Sequence, residues 1–222
     1  MVQIRIAVTG NEMGEMINEF LCGRGEKEFA EALGESPDGM ALSFLRHYLY
    51  WITCNACDPN DRVLEIGCGD DSRAAHWGPV LLSRKVRDYL AIDNWSLSGI
   101  RRKGPPFKFL EADIEKWEPE GEYDKIVCLY VIRYFKNPEA VVEKIYRHLK
   151  DGGSAYFSIG NRWGWTGDIQ TSQEIAEKMG ECLKIFGKVL IWGIDTGQPT
   201  ALSKGRDGVF CIAYKGDDIA PD

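Results

Sequence analysis

A chain of 222 residues with 44% hydrophobic and 27% charged residues is long enough to bury one sizeable core without disulfide or metal staples, and its composition excludes fibrous and disordered classes. Its 27 Lys and Arg against 34 Asp and Glu leave a net charge of −7, which argues against a nucleic-acid partner, because phosphate binding needs clustered cations. No apolar run approaches the roughly 18 to 20 residues of a bilayer-crossing helix, so no membrane partner is expected.

Residues 2 to 8 alternate apolar and polar in the manner of an edge strand, with no evident pairing partner. Met40 to Cys57 predicts a helix with Leu42, Leu45, Leu49 and Ile52 on one stripe, packed on a sheet as an N-terminal cap. Cys54 and Cys57 have the spacing of half a zinc site, but no second Cys or His pair follows, and tetrahedral zinc needs four ligands, so no metal is expected. Seven cysteines are an odd number; Cys128 and Cys211 lie in apolar runs, and no signal peptide precedes them, which points to a reducing, cytoplasmic location. Asp58-Pro59-Asn60-Asp61 is a turn.

From residue 62 onward, strand-length apolar runs alternate with helical patterns, the signature of βαβ units and a parallel sheet. The strands are read as Arg62 to Ile66, Tyr89 to Asp93, Phe107 to Leu110, Lys125 to Tyr130 and Ala155 to Ile159. Gly78-Pro79 should break or kink the helix after the first of these. Arg101-Arg102-Lys103, ahead of Gly104-Pro105-Pro106, reads as a solvated loop. Pro138 to Leu149 forms a helix capped by Asn137, ended by Gly152-Gly153, with Val141, Val142, Ile145 and Leu149 on one face. His148 in its last turn complements the helix dipole, a structural role. A helix from Thr171 or Ser172 to Leu183 precedes two strands, Lys188 to Ile194 and Val209 to Tyr214, which form a terminal pair closing the sheet. Residues 1–60 are therefore an N-terminal strand and helical cap, and residues 61–222 an α/β core.

The chemistry gathers at the strand ends. Arg62 to Ile66 runs into Gly67-Cys68-Gly69, where a backbone without Cβ can turn sharply and approach a ligand. A dinucleotide fingerprint needs a third glycine at the sixth position, which is Ser72 here, so a nicotinamide-dependent oxidoreductase is the lesser alternative. Asp93 ends the second strand, close to the roughly 20-residue spacing at which a carboxylate takes ribose hydroxyls; Asn94 is grouped with it. Asp113, beside Ile114, suits an adenine amine and ring.

Residues 61–160 resemble the class I S-adenosylmethionine-dependent methyltransferases in four segments, taken in order. These are Val63-Leu-Glu65-Ile-Gly67-Cys-Gly69, Ala91-Ile-Asp93, Glu111-Ala-Asp113-Ile114, and Tyr123 to Ile132 with Leu149 to Gly153 beyond. The resemblance implies a Rossmann-like three-layer sandwich, mostly parallel, with an antiparallel C-terminal strand pair. It implies that Glu65, Gly67, Cys68 and Gly69 hold the methionine moiety of the cofactor S-adenosylmethionine. Asp93 would take ribose, Asp113 and Ile114 adenine, and the backbone at Cys128 and Leu129 would pass near the sulfonium. Asp71 stands where the family usually carries a third glycine; it or Ser72 can cap the next helix.

The expected activity is methyl transfer to a small-molecule, glycan- or metabolite-like acceptor by in-line displacement, in which positioning supplies most of the acceleration. The Asn/Asp-Pro-Pro-aromatic signature of amino methyltransferases of nucleic-acid bases is absent, since Cys128-Leu-Tyr130-Val stands in its place. Acceptor candidates are Tyr130, Arg133 and Tyr134 after the fourth strand, and Trp163 and Trp165 after the fifth, which face the sulfonium or an aromatic acceptor, or else pack on the sheet edge. Tyr130 and Arg133 are the candidates for catalysis. Lys204 and Arg206 in the loop 195–208 are solvated charges or a clamp for an acidic group. An S-adenosylmethionine-binding regulator or scaffold without transferase activity is the other alternative.

Overall fold

The computed structural model describes residues 2–6, 49–50, 52–69, 77–94, 107–160, 171–194 and 208–216. Among the described residues, eight strands form one sheet: β1 (Val2–Ile6), β2 (Arg62–Ile66), β3 (Asp88–Asp93), β4 (Lys108–Glu111), β5 (Tyr123–Leu129), β6 (Leu149–Gly160), β7 (Lys188–Ile194) and β8 (Gly208–Tyr214). Their order across the sheet is β1-β7-β8-β6-β5-β2-β3-β4. All neighbours run parallel except β8, which lies antiparallel between β6 and β7. The C-terminal pair is therefore antiparallel as expected, but it does not close the sheet. The N-terminal strand does, with Val2 opposite Val189 and Ile6 opposite Gly193, so β1 supplies the edge and satisfies the outer amides of β7.

Alternation along the strands builds two cores. Leu64, Ile66, Leu90, Ile92, Ile126, Cys128 and Phe157 face one side, where they meet α2 (Pro138–His148) and α3 (Ser172–Cys182). Val63, Ala91, Val127, Leu129 and Tyr156 face the other, against Leu49 and Tyr50 of the helix ending at residue 55 and Leu82 of α1 (Trp77–Lys85). This is the three-layer sandwich, and each fully buried Leu or Ile contributes about 1.5 to 3 kcal/mol to it. Of the predicted stripe on the upstream helix, Leu49 is buried and Ile52 half-buried; Leu42 and Leu45 lie outside the described residues.

Caps set the two helices on the first face. The Asn137 side chain accepts from the Ala140 N–H at 3.1 Å, with Pro138 in the first turn. Thr171 and Glu174 form a reciprocal capping box, which satisfies two otherwise orphaned amides. Two expectations need correcting here. Gly152-Gly153 do not end α2: it stops at His148, and Leu149 is already extended, its N–H bonding Tyr146 O. Leu149 is fully buried, so the chain enters β6 at once and the glycines fall inside that strand, where the β5–β6 register shifts. Nor does Gly78-Pro79 break the helix after the loop, because α1 is helical through both to Lys85.

The third core strand runs Lys108–Glu111 rather than from Phe107 to Leu110, and the fourth runs Tyr123–Leu129, leaving Tyr130 outside it. Among the described residues no helix is long and apolar enough to cross a membrane.

Candidate functional site

The chain steps outward from β2 to β3 to β4 and then returns to the far side of β2 as β5. The crevice at the carboxyl ends of β2 and β5 is thus a topological switch point, the place where open α/β sheets bind ligands. Two loops meet there. In the first, Gly67 and Gly69 have φ of +72° and +87°, backbone that side-chain-bearing residues rarely adopt. Gly67 N–H donates to Ile92 O at 2.8 Å, and Gly69 N–H donates to Asp93 Oδ2 at 2.8 Å. The glycine loop is therefore folded over the end of β3, with the Asp93 carboxylate as its anchor. In the second loop, Val131 lies so close that a Cβ on Gly67 would stand 2.5 Å from Val131 Cγ2.

Tyr130, between β5 and Val131, is the one described non-glycine residue with positive φ, at 62°. Its N–H donates to Ser158 O at 3.0 Å and Ser158 Oγ at 3.1 Å, so β6 holds it in that sparsely populated conformation. Such strain collects at functional sites. A short 3-10 turn, Ile132–Tyr134, follows. In it the Arg133 guanidinium lies 4.7 Å from the centre of the Tyr134 ring and donates to the Tyr134 hydroxyl.

Glu65, 1% exposed, sits beneath the loop. The Tyr50 hydroxyl donates to its Oε1 at 2.6 Å, and the Tyr89 hydroxyl to its Oε2 at 2.5 Å. Burial, reinforced by the adjacent Glu65 charge, pushes the Tyr89 phenol well above its ordinary value, which keeps it a donor. Neither tyrosine carries a motif that marks it as part of the site. Tyr89 was within reach: its register partner is Val63, which shares a face with Glu65, so strand parity alone puts phenol and carboxylate on one side. Tyr50 carries no such signal.

Asp113 and Ile114 follow β4, next to the end of β3, where Ala112 N–H donates to Asp93 O at 2.9 Å. Asp113 Oδ1 accepts the Glu115 N–H at 3.0 Å, and Lys116 lies 3.3 Å from Oδ2. Ile114 is buried in the α2-side core. Glu115 Oε1 accepts the amides of Lys136 and Asn137 at 2.9 and 3.0 Å, tying this turn to the entrance of α2. At the other end of α2, His148 Nδ1 meets Gly121 O at 2.8 Å and Nε2 meets Glu118 Oε1 at 2.9 Å, which makes its role a strut. That hydrogen bond, with Lys144 and Arg147 beside it, holds the Glu118 carboxyl below its ordinary value.

The structure thus brings Gly67, Cys68, Gly69, Asp93 and the backbone after Leu129 to one crevice, with Asp113 one strand away. Asn94 is exposed beside Asp93. Cys128 is fully buried on the α2 side, and burial pushes its thiol up, so only its backbone is available to the crevice. Trp163, Trp165, Asp71, Ser72, Arg101 to Lys103, Lys204 and Arg206 lie outside the described residues. Cys54 and Cys57 are free thiols, and burial pushes Cys57 up to about 12; among the described residues no cluster suited to a metal ion occurs.

A family model described as a methyltransferase domain matches residues 23–187, a span that contains the whole crevice. The chain belongs to this methyltransferase domain family. Among curated proteins, the domain is 30% identical over 107 residues to a ubiquinone biosynthesis O-methyltransferase of Rickettsia prowazekii (strain Madrid E), covering 46% of this chain and 40% of that protein. It is 28% identical over 123 residues to the protein of the same name from Aromatoleum aromaticum, covering 51% and 50%. The chain thus spans half or less of the length of these relatives. Among solved structures it resembles the N-methyltransferase NodS from Bradyrhizobium japonicum WM9 in complex with S-adenosyl-L-homocysteine, with a TM-score of 0.54 and 15% identity over 91% of this chain and 97% of that one. At that identity the likeness is one of fold.

Proposed function

We propose that this chain is an S-adenosylmethionine-dependent methyltransferase acting on a small-molecule or metabolite-like acceptor. The observation that carries the reading is the glycine loop folded onto Asp93 at the switch point, inside the span of a methyltransferase domain. The curated relatives' name, ubiquinone biosynthesis O-methyltransferase, supports a small acceptor. The net charge of −7 supports it over nucleic acid. Cys57, Cys68, Cys128 and Cys211, kept as buried free thiols, support a reducing, cytoplasmic setting.

The residues present suit the cofactor. Gly67 and Gly69 offer backbone with no Cβ to an amino-acid moiety, Asp93 a carboxylate to ribose hydroxyls, and Asp113 with Ile114 an acceptor and an apolar wall to adenine. S-adenosylmethionine, when bound, supplies an electrophilic methyl group on a sulfonium. The Tyr50–Glu65–Tyr89 set keeps the loop's first residue rigid, so Glu65 acts through the backbone it anchors. Tyr130, Arg133 and Tyr134 follow the strand end beside the crevice and orient the acceptor, with Trp163 and Trp165 as further candidates for that wall. In-line displacement gains most from such positioning.

The test is calorimetric binding of S-adenosylmethionine and of NAD to the purified chain, followed by release of S-adenosylhomocysteine with a panel of phenolic and amine acceptors. Binding of S-adenosylmethionine with turnover is expected. NAD binding in its place overturns the assignment, and tight cofactor binding with no turnover on any acceptor would make the protein a regulator or scaffold.

A further inference from the structure

We propose that Lys144, on α2 and outside the glycine loop, is a positioning residue that holds the turn at residues 113–117 in the conformation that reads adenine. The inference rests on the reading of Asp113 and Ile114 as the adenine side of the cofactor site.

Lys144 is 9% exposed. A buried ammonium is costly unless its donors are matched, and it has three N–H groups to place. Its Nζ donates to Ile114 O at 2.8 Å and to Trp117 O at 2.7 Å, and Glu118 Oε2 lies 3.3 Å away. Two of its three acceptors are main-chain carbonyls of a single turn. That turn is closed from within by Asp113: its carbonyl accepts the Lys116 and Trp117 amides, at 2.9 and 2.7 Å, and its Oδ1 accepts the Glu115 amide. The internal bonds fix the turn's shape but not its position relative to the sheet. Ala112 N–H on Asp93 O and Glu115 Oε1 on the Lys136 and Asn137 amides hold its flanks, and Lys144 pins its main-chain carbonyls to α2, which is itself held on the core through Val141, Val142 and Ile145.

The geometry has a direct consequence for recognition. The peptide between Ile114 and Glu115 has its carbonyl held by Lys144 and its N–H held by Asp113 Oδ1, so it cannot rotate, and with it stay the Asp113 carboxylate and the Ile114 side chain. Removing the ammonium would leave two carbonyls without their donor, and the turn would swing to find water. A turn so released loses its ability to tell a base bearing an amino group from one bearing a carbonyl. A role confined to stability would weaken binding of both bases alike.

The experiment measures calorimetric affinity for S-adenosylhomocysteine and for its 6-oxo counterpart, S-inosylhomocysteine, in the wild type, Lys144→Met and Glu118→Gln, with thermal unfolding in parallel. Lys144→Met keeps most of the unbranched side chain and removes every donor. It is expected to bind S-adenosylhomocysteine about tenfold more weakly, the scale of a lost charge-assisted hydrogen bond, and its preference for the amino base should collapse toward unity. Glu118→Gln leaves the two carbonyl bonds in place and should keep the wild-type preference. Wild-type preference in Lys144→Met, at whatever affinity, overturns the proposal. If Lys144→Met does not fold, Lys144→Arg, which keeps the charge but moves the donors, decides in the same way: an altered preference supports the role and an unaltered one sinks it. Failure of the wild type to bind S-adenosylhomocysteine at all would overturn the cofactor reading itself, and equal wild-type binding of both bases would overturn the adenine assignment.

Discussion

Gly67 and Val131 belong to different loops, yet the space a Cβ would need at residue 67 is already filled by the Val131 side chain, whose three nearest atoms would lie at 2.5 to 2.8 Å. Glycine is required here twice over, because its φ of +72° is also disfavoured for a side chain. Gly67→Ala is expected to cost about 1 to 3 kcal/mol of stability from backbone strain alone, and to weaken cofactor binding further by separating the two loops. Pairing it with Val131→Ala should recover part of the loss. Chemical denaturation with calorimetry on the single and double variants checks this, and strict additivity of the two substitutions would refute contact between the loops.

Tyr50 and Tyr89 converge on a carboxylate with almost no solvent access. Removing either hydroxyl leaves a buried charge short of a donor, so Tyr50→Phe and Tyr89→Phe should each cost about 1.5 to 3 kcal/mol of stability, the scale for hydrogen bonds to charged groups. Replacing Glu65 by Gln at the same time should lessen the penalty, since the amide needs fewer donors. A double-mutant cycle followed by thermal unfolding gives the coupling. A cost below a few tenths of a kcal/mol in both single variants would mean that water replaces the hydroxyls and that the loop is anchored otherwise.

What was legible in the sequence followed from local rules. The strands from β2 to β8 show as short apolar runs, the α2 and α3 starts show as Asn137-Pro138 and Thr171, and the glycine loop with Asp93 shows by spacing. The rest depended on tertiary partners. The position of β1 beside β7 is a pairing between chain ends, which alternation alone leaves open. Gly152-Gly153 look like a helix stop, but burial of Leu149 draws the chain into β6 first. The Tyr50 hydroxyl on Glu65 and the Lys144 bonds to Ile114 and Trp117 join residues far apart in sequence, and no periodicity announces such contacts; the Tyr89 hydroxyl on Glu65 is the one that strand parity brings within reach.

Asp124 gives the fold an acid-sensitive clasp. Both of its oxygens accept the Lys150 ammonium at 2.8 Å, and Oδ2 also takes the Arg62 amide at 2.8 Å. Partial burial alone would raise its carboxyl, but Lys150 and the Arg62 N–H together hold it below the ordinary value. A lowered folded-state value means that the unfolded chain takes up the proton more readily. The stabilisation is therefore present above the unfolded value, about 3.9, and is lost as pH falls through the folded one. Thermal unfolding measured from pH 7 down to about 2 should show a shallower acid limb in Asp124→Asn than in the wild type, with the two curves converging at the acid end. Parallel limbs would show that the clasp carries no linkage.

Asp93 is expected to bear both on the loop and on the ligand. Its Oδ2 accepts Gly69 N–H at 2.8 Å, so Asp93→Ala removes the loop's anchor together with the proposed ribose contact, and cofactor affinity should fall by about 1.5 to 3 kcal/mol. Asp93→Asn keeps a carbonyl oxygen for the Gly69 amide and loses the charge. It should restore the loop, read as thermal stability, while leaving affinity reduced. Unchanged calorimetric affinity for S-adenosylhomocysteine in both variants would remove Asp93 from the site.

Tyr130 separates positioning of the acceptor from binding of the cofactor. Its backbone is held at positive φ by two bonds to Ser158, and its ring packs beside the core formed by Leu49, Val63 and Val127. Tyr130→Phe keeps ring and backbone and removes only the phenolic oxygen. If that oxygen orients the acceptor or takes up its proton, turnover should fall by roughly the 100-fold or more typical of a general acid–base group, while affinity for S-adenosylhomocysteine stays within about twofold. Tyr130→Asn is the complementary variant, since asparagine tolerates positive φ. It preserves the backbone and deletes the ring, and should lose acceptor affinity as well as rate. A Tyr130→Phe protein with wild-type turnover would confine Tyr130 to shaping the backbone after β5 and move the search for the acceptor's partner to Arg133 and Tyr134. Equal losses of turnover and cofactor affinity would instead mark Tyr130 as part of the cofactor wall, because only a group that touches the acceptor alone can lower kcat without disturbing binding of the donor.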